Sequence, residues 1–284
     1  MAREKLPISV VIPTKNEERN LPGCLDRLSE FETVIIVDSG STDTTVAIAA
    51  SYGHEVLNFD WGGGFPKKRN WVLLNHRFET PWVLFLDADE LVTPEFVGAA
   101  REALAHTDHA GFWLNYRTHF MGKVLSYGVA QRKLALIRVG AGLYERIEDP
   151  GWSHLDMEVH EHPQLGGSTG AISAQIDHLD FRGVEHFIAR HNAYANWETR
   201  RYLSLSTTPE GRSSLTARQK WKYHLLERWW FAPMYFFGTY LLKLGFLDGI
   251  AGLDYALLKM NYFHQIRLQI AENRAEGLNI HDGR

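Results

Sequence analysis

Short runs of consecutive apolar residues punctuate the first part of the chain, and polar, helix-competent stretches separate them. Ile8–Ile12, Thr33–Val37, Glu55–Phe59 and Trp82–Leu86 each read as a buried strand, rich in β-branched and aromatic residues. Between them the spacing predicts helices. One starts at Asn20 with Pro22 in its first turn and Leu25 and Leu28 on its apolar face. Another is capped by Asp43 and runs through Ala50, and a third spans Pro66–His76. Thr93, Pro94 and Glu95 supply a cap, a first-turn proline and a first-turn acid in order, so a further helix starts there. Continuous apolar strands alternating with helices predict an α/β fold whose mostly parallel sheet is flanked by helices on both faces.

After Gly111 the rhythm changes. Gly111–Tyr116, Lys133–Arg138, Met157–His160 and Ala171–Ile176 read as strands without regular intervening helices. Val184–Leu205 returns to helical spacing, and further helical segments run to about Ile270, broken at Pro233 and near Gly245. A boundary near residue 180 therefore divides a catalytic-type domain, 1–180, from a helical, amphipathic C-terminal region, 181–284. Charge sharpens the division. From Arg182 onward Lys and Arg outnumber Asp and Glu, while the preceding part is acidic. Trp221, Trp229, Trp230, Phe231, Tyr235, Phe236, Phe237 and Tyr240 also crowd together there.

Composition adds bounds. The 284 residues, 45% hydrophobic and 23% charged, suit a folded protein with a sizeable core. A formal net charge of −4 disfavours a nucleic-acid partner. Cys24 is the sole cysteine, which excludes an internal disulfide and fits a reducing compartment. Met1–Leu6 carries charges of both signs and runs into the first strand with no signal-peptide pattern, so the expected location is cytoplasmic.

Candidate chemistry falls at the strand ends, where open α/β sheets bind ligands. The first strand ends in Pro13, Thr14, Lys15, Asn16 and Glu17. The second ends in Asp38, Ser39, Gly40, Ser41, Thr42 and Asp43, and the fourth runs into Asp87, Ala88, Asp89 and Glu90. Asp38 is a candidate acceptor for a base or ribose, and the small residues from Ser39 onward let a nucleotide approach the backbone; a plain turn is the alternative. The Asp87-x-Asp89 pair suits a hard cation, Mg²⁺ or Mn²⁺, that shares carboxylate and phosphate oxygens and offsets the charge of a departing diphosphate. Trp61–Arg69 (WGGGFPKKR) is not a dinucleotide fingerprint. Its glycine loop leads into a helix with Lys67, Lys68 and Arg69 in the first turns, which either meet a diphosphate or form a surface basic cluster.

Ser9–Glu18 (SVVIPTKNEE), Val37–Thr44 (VDSGSTDT) and Leu86–Glu90 (LDADE) strongly resemble family 2 glycosyltransferases of the GT-A fold. In particular they resemble the branch that adds glucose or related sugars to lipopolysaccharide core or other lipid-linked glycans. The likeness is specific over residues 8–90 and looser through His160-Glu161, His178 and Gly245–Gly249 (GFLDG). It implies a nucleotide-sugar donor, UDP-linked, with Pro13, Thr14, Glu17 and Asp38 on the uridine and Lys68 and Arg69 near the donor. It implies Asp89 as metal ligand with Asp87 in support, and inversion at the anomeric carbon.

Inverting transfer needs a carboxylate to take the acceptor proton. His154–His162 (HLDMEVHEH) offers Asp156, Glu158 and Glu161; the resemblance, through its His-Glu pair, selects Glu161. Zinc is disfavoured because no cysteine accompanies His154, His160 and His162. His178, after a strand, is a candidate further metal ligand, with a satisfied core histidine as the alternative. A hydrolase triad lacks its G-x-S-x-G elbow.

The nearly uncharged run Trp229–Leu242 is shorter than the roughly 20 residues that span a bilayer. With Arg218, Lys220, Lys222 and Arg228 before it, it suits a peripheral position at the inner face of the cytoplasmic membrane, near a lipid-linked acceptor. Packing on the first domain, or on a second copy in a homo-oligomer, is the alternative. Two other functions stand against a sugar transferase. A sugar nucleotidyltransferase would carry a glycine-rich basic loop after the first strand, and a non-catalytic membrane adaptor would not need Asp87, Asp89 and Glu161.

Overall fold

The four apolar runs of the N-terminal part all become strands of one sheet, and their alternation explains why both faces are apolar. These are β1 (Leu6–Thr14), β2 (Phe31–Asp38), β3 (Glu55–Asn58) and β4 (Trp82–Phe85). Ile8, Val10 and Ile12 of β1, Val34 and Ile36 of β2, and Trp82 and Leu84 of β4 point to one face. There they meet Leu21, Cys24 and Leu25 of α1 (Leu21–Leu25), Ala49 of α2 (Thr45–Ser51) and Phe96 and Ala100 of α4 (Pro94–Ala105). Val11, Ile35, Val37, Val83 and Phe85 point to the other face, against Val72 of α3 (Lys68–Asn75). A strand buried on both sides has no position at which a polar residue is free, so the runs are continuous.

The computed structural model describes residues 4–147, 155–158, 161–207, 215 and 217–276. These fall into two compact units: 4–119, 130–147, 155–158 and 161–181 form the first, and 120–129, 215 and the residues from 182 onward form the second.

The first unit is α/β. Its sheet also contains β5 (Glu90–Leu91), β6 (Gly111–Phe120), β8 (Gln131–Arg138) and β11 (Thr169–His178). Strand order is β3-β2-β1-β4-β8-β6-β11-β5. β3, β2, β1 and β4 are mutually parallel, as are β6 and β11, while β8 and β5 run antiparallel to their neighbours. β9 (Gly142–Tyr144) and β10 (Pro163–Leu165) form a separate two-stranded ribbon. The chain thus winds outward from β1 through β2 to β3, then returns to place β4 on the other side of β1. That reversal makes the carboxyl ends of β1 and β4 the switch point at which such sheets open a crevice.

Two expectations are corrected. Met157 and Glu158 lie in no strand, and Val159 and His160 fall outside the described residues. The Glu158 carboxylate instead accepts the first amides of α3. Pro233 does not break a helix. It sits in the first turn of α7 (Phe231–Phe237), where its missing N–H would have no intrahelical partner anyway; the break lies before it, at 226–230.

The second unit is mainly helical. β7 (Lys123–Leu125), α5 (Gly183–Thr207), α6 (Ala217–Leu225), α7 and α8 (Gly249–Ala275) belong to it. Ala195 and Tyr202 of α5, Leu225, Leu226, Phe231, and Ile266 and Ile270 of α8 form its core. A π-helical turn (Gly238–Leu242) follows α7, and a 3-10 turn (Gly245–Asp248) precedes α8 after Leu244 adopts a left-handed conformation at φ 60°. The Asp248 carboxylate there accepts the backbone N–H groups of Ser126 and Tyr127 at 3.0 Å each. No helix among the described residues is long and apolar enough to cross a membrane.

Candidate active site

Register sets the first half of the site. Pro13 pairs with Val37 and Thr14 with Asp38, so β1 and β2 end together. The β1–β4 ladder stops earlier, at Val11 and Phe85, so Pro13 withholds no hydrogen bond from β4. Beyond the strand ends the two loops are stitched by side chains. Asn16 N donates to Ser41 Oγ (2.9 Å) and Asn16 Oδ1 accepts Thr42 N (2.8 Å); Glu17 N donates to Thr45 Oγ1 (2.8 Å). The Glu17 carboxylate accepts Asn20 Nδ2 (2.9 Å).

Asp38 organises this loop. It is 3% exposed, and Oδ1 accepts Thr14 Oγ1 (2.9 Å) and Ser41 Oγ (2.5 Å), while Oδ2 accepts Gly40 N (3.0 Å) and Ser41 N (2.8 Å). Its acceptor capacity is used within the turn, with Gly40 at φ +76° allowing the close return of the chain.

Lys67, Lys68 and Arg69 are not a surface cluster. All three are buried, and each reaches a different partner. Lys68 Nζ donates to Thr14 O (2.9 Å) and Ser39 Oγ (2.8 Å) and lies 3.3 Å from the Asp156 carboxylate. Burial pulls the Lys68 pKa down, and Asp156 and Asp38 offset this only in part. Arg69 pairs with Asp87 at 2.7 Å, and Lys67 pairs with Glu161 at 2.8 Å.

Asp87 also accepts Lys133 Nζ at 2.6 Å, and the same ammonium holds Glu90 at 2.5 Å. Burial alone would push the Asp87 carboxyl up; Lys133 and Arg69 outweigh it and hold it well below the usual carboxylate range. Two residues on, Asp89 meets His178 (3.4 Å between Oδ2 and Nε2). Topology brings them together: β5 pairs with β11, setting Glu90 opposite His178, and Leu179 N bonds Asp89 O at 2.8 Å.

The Asp38 carboxylate, the buried cations and the strand-end acidic pair thus gather beyond the carboxyl ends of strands in one sheet. The sequence profile of Glycosyl transferase family 2 matches residues 9–152, which contain most of these groups. The chain belongs to glycosyltransferase family 2. It is similar to LpsC, a lipopolysaccharide core biosynthesis glycosyltransferase of Rhizobium meliloti, at 26% identity over 279 residues, 92% of this chain and 93% of that protein. An uncharacterized glycosyltransferase of Rickettsia conorii is 37% identical over 89 residues, 31% of this chain and 30% of that protein. Among solved structures, S. aureus TarS 1–349 aligns over 98% of this chain and 95% of that one, at 17% identity and TM-score 0.44. The resemblance of the strand-end motifs to this family, and the α/β fold it implies, are borne out. Membership makes this chain a transferase.

In this family 2 glycosyltransferase the three candidate bases differ in situation. The Glu158 carboxylate accepts the backbone N–H of Arg69 and of Asn70, each at 2.9 Å, and Asp156 O accepts Lys68 N at 2.9 Å. Segment 156–158 therefore satisfies the open amides of the first turn of α3, whose N-cap residue Lys67 supplies no side-chain bond. Burial pushes the Glu158 carboxyl up, against those amide bonds. Glu158 is committed to holding α3. Glu161 is 5% exposed and Asp156 less buried; His162 is exposed, and His154 and His160 lie outside the described residues.

A divalent cation fits Asp89 and His178 in part. Nδ1 of His178 is buried without a hydrogen-bond partner, the kind of atom that a ligand contact or ring rotation would satisfy. Among the described residues no three His, Cys, Asp or Glu side chains converge as a ligand set. Two donors suit a cation that takes its remaining ligands from phosphate and water.

Lys133, the Glu158 cap and the Lys67–Glu161 pair were not found from the sequence. The only hint of the first was a lysine opening the apolar run of β8. Removing the cap gives a test. Glu158→Ala should cost about 2 kcal/mol, the desolvation penalty of amides left without an acceptor, whereas Glu158→Gln, which keeps one oxygen, should cost less. Urea midpoints at unchanged m-value measure both; equal stability of the Ala variant and the parent would remove the capping role.

Proposed function

We propose that this glycosyltransferase moves a sugar with inversion from a UDP-sugar to a lipid-linked or lipopolysaccharide-core glycan, using Mg²⁺ or Mn²⁺. The observation that carries this reading is the meeting of two groups at the β1/β4 switch point. On one side stands the loop around Thr14, Glu17, Asp38 and Ser39 with Lys68 beneath it; on the other stand Asp87, Arg69, Asp89 and His178. The first group suits a nucleoside, because small residues and a left-handed glycine bring backbone close to the ligand. The second suits a diphosphate, because Arg69 and Lys68 supply positive charge in a buried setting. Asp89 and His178 would hold the cation, which when bound neutralises charge on the departing diphosphate. Glu161 takes the acceptor proton as the hydroxyl attacks, with Lys67 fixing its carboxylate at 2.8 Å. Similarity to the Rhizobium meliloti core glycosyltransferase supports the lipid-linked acceptor.

A peripheral membrane position at the inner face of the cytoplasmic membrane belongs to the same reading. In the second unit Trp229 is 74% exposed, Leu242 84% and Ile250 75%, and Phe237, Leu241, Leu244 and Leu247 are exposed as well. So many uncovered large apolar groups within one stretch of chain, with exposed Arg228 and Lys243, fit an interface where aromatic rings and cations meet anionic headgroups.

Turnover of a nucleotide-sugar panel, with Mn²⁺, with Mg²⁺ and with EDTA, tests the reaction. A UDP-sugar should be consumed only with the cation, and Asp89→Ala should lower turnover by about 10³-fold, the several kcal/mol that such a cation supplies. Full activity in EDTA would sink the metal assignment, and absence of any donor turnover would favour a non-catalytic role.

The base is tested separately. Glu161→Gln should lower kcat by about 10²-fold or more with the donor KM nearly unchanged, and Asp156→Asn should do much less; the reverse ranking would move the base to Asp156.

Replacing Trp229, Trp230 and Phe237 together with Ser should abolish co-sedimentation with anionic vesicles while transfer to a soluble acceptor persists. Unchanged sedimentation would assign these side chains to protein packing.

A further inference from the structure

The second unit contains a cavity of about 510 Å³ lined by none of the residues assigned to the transfer reaction. Its size is that of a small-molecule site. Tyr202 and Leu205 of α5, Leu215, and Tyr223 of α6 give it apolar walls. Glu227 supplies the one carboxylate of its lining, and that charge is already matched: Arg274 of α8 forks onto both oxygens at 2.5 and 2.6 Å, and the Tyr202 hydroxyl donates to the same group.

The remaining polar groups are of one kind. Lys220 and His224 sit one turn apart on α6, and Arg228, just past the end of that helix, lines the same cavity. All three are exposed, and among the described residues no ion pair or hydrogen bond engages their side chains. The neighbouring Lys222 differs, because it is spent on Glu198 at 2.6 Å. An apolar pocket with two cations, Lys220 and Arg228, and an imidazole beside them selects a ligand with an anionic head and an apolar body. Three donor groups lining one cavity match the three oxygens of a phosphate monoester better than the two of a carboxylate, which a single arginine satisfies.

We propose that this cavity binds a phosphate monoester borne on an apolar chain, with Lys220, His224 and Arg228 on the phosphate and Tyr202, Leu205 and Tyr223 on the chain. The site stands on the cavity and its charges alone and does not depend on the donor chemistry of the first unit. A lipid headgroup and a soluble phosphorylated amphiphile share this chemistry.

Calorimetric titration of the full chain with octyl phosphate, below its micelle concentration and with UDP present to occupy a donor site, tests the proposal. Octyl glucoside and inorganic phosphate should each bind at least tenfold more weakly, since each lacks half of the recognised chemistry. The double variant Lys220→Gln/Arg228→Gln, at exposed positions that the core does not require, should weaken octyl phosphate by tenfold or more. Equal binding of octyl glucoside, equal binding of inorganic phosphate, or an unaffected double variant would each overturn it. Vesicles distinguish the source. Loss of the double variant's preference for phosphatidate over phosphatidylcholine vesicles identifies a lipid headgroup; retention of that preference alongside lost octyl phosphate binding identifies a soluble ligand.

Discussion

Three consecutive cations buried at the start of one helix set the terms for the rest of the first unit. Lys67, Lys68 and Arg69 are each under one-tenth exposed, and the helix they open adds the positive end of its dipole to theirs. A buried charge without a partner is strongly destabilising, so the fold must deliver carboxylates to this point. It does so from segments far apart in sequence: Asp87 after β4, and Asp156, Glu158 and Glu161 from the stretch before β10. The arrangement holds buried cations near the strand ends, each matched by a carboxylate. On the proposed reading, an arriving diphosphate meets charge that is already desolvated and aimed, so little reorganisation remains for the reaction itself.

This constraint explains what could and could not be read from the sequence. The strands were legible because Ile8–Ile12, Thr33–Val37 and Trp82–Leu86 are buried on both faces, which forces an uninterrupted apolar run. The strand-end acids were legible because loops carry polar residues only where they are solvated or used. The direction of Lys67, Lys68 and Arg69 was not. A basic run reads as surface charge unless its counter-charges are known, and those lie some twenty to ninety residues away, joined only by tertiary structure. Glu158 was hidden for the same reason, since a cap supplied from another segment leaves no pattern beside the helix it caps. Pro233 misled through its position: the same residue ends a helix from within and starts one from the first turn, and local sequence alone did not separate the two.

Asp38 shows how a residue picked for one task can be held for another. Every acceptor position of its carboxylate is taken by Thr14, Gly40 and Ser41. A nucleoside bound here either displaces one of these bonds or reads the backbone that they shape. The second course costs less, because breaking a bond between a buried carboxylate and an amide leaves the amide unsatisfied. On the proposed reading the loop around Asp38 is a preformed edge for the nucleoside, braced by Lys68 through Thr14 O and Ser39 Oγ.

The acidic pair at the other side follows the opposite logic. Asp87 is fixed by two cations, whereas Asp89 and His178 are, on the proposed reading, the protein donors to the cation. A cage of four or more protein ligands would bind a divalent ion whether or not substrate were present. Two donors bind it weakly alone and tightly once phosphate oxygens complete the shell. On the proposed reading, cation and donor therefore bind with positive coupling, each raising the affinity of the other by the same factor. The incomplete ligand set is then what ties assembly of the metal site to the arrival of the group that needs its charge.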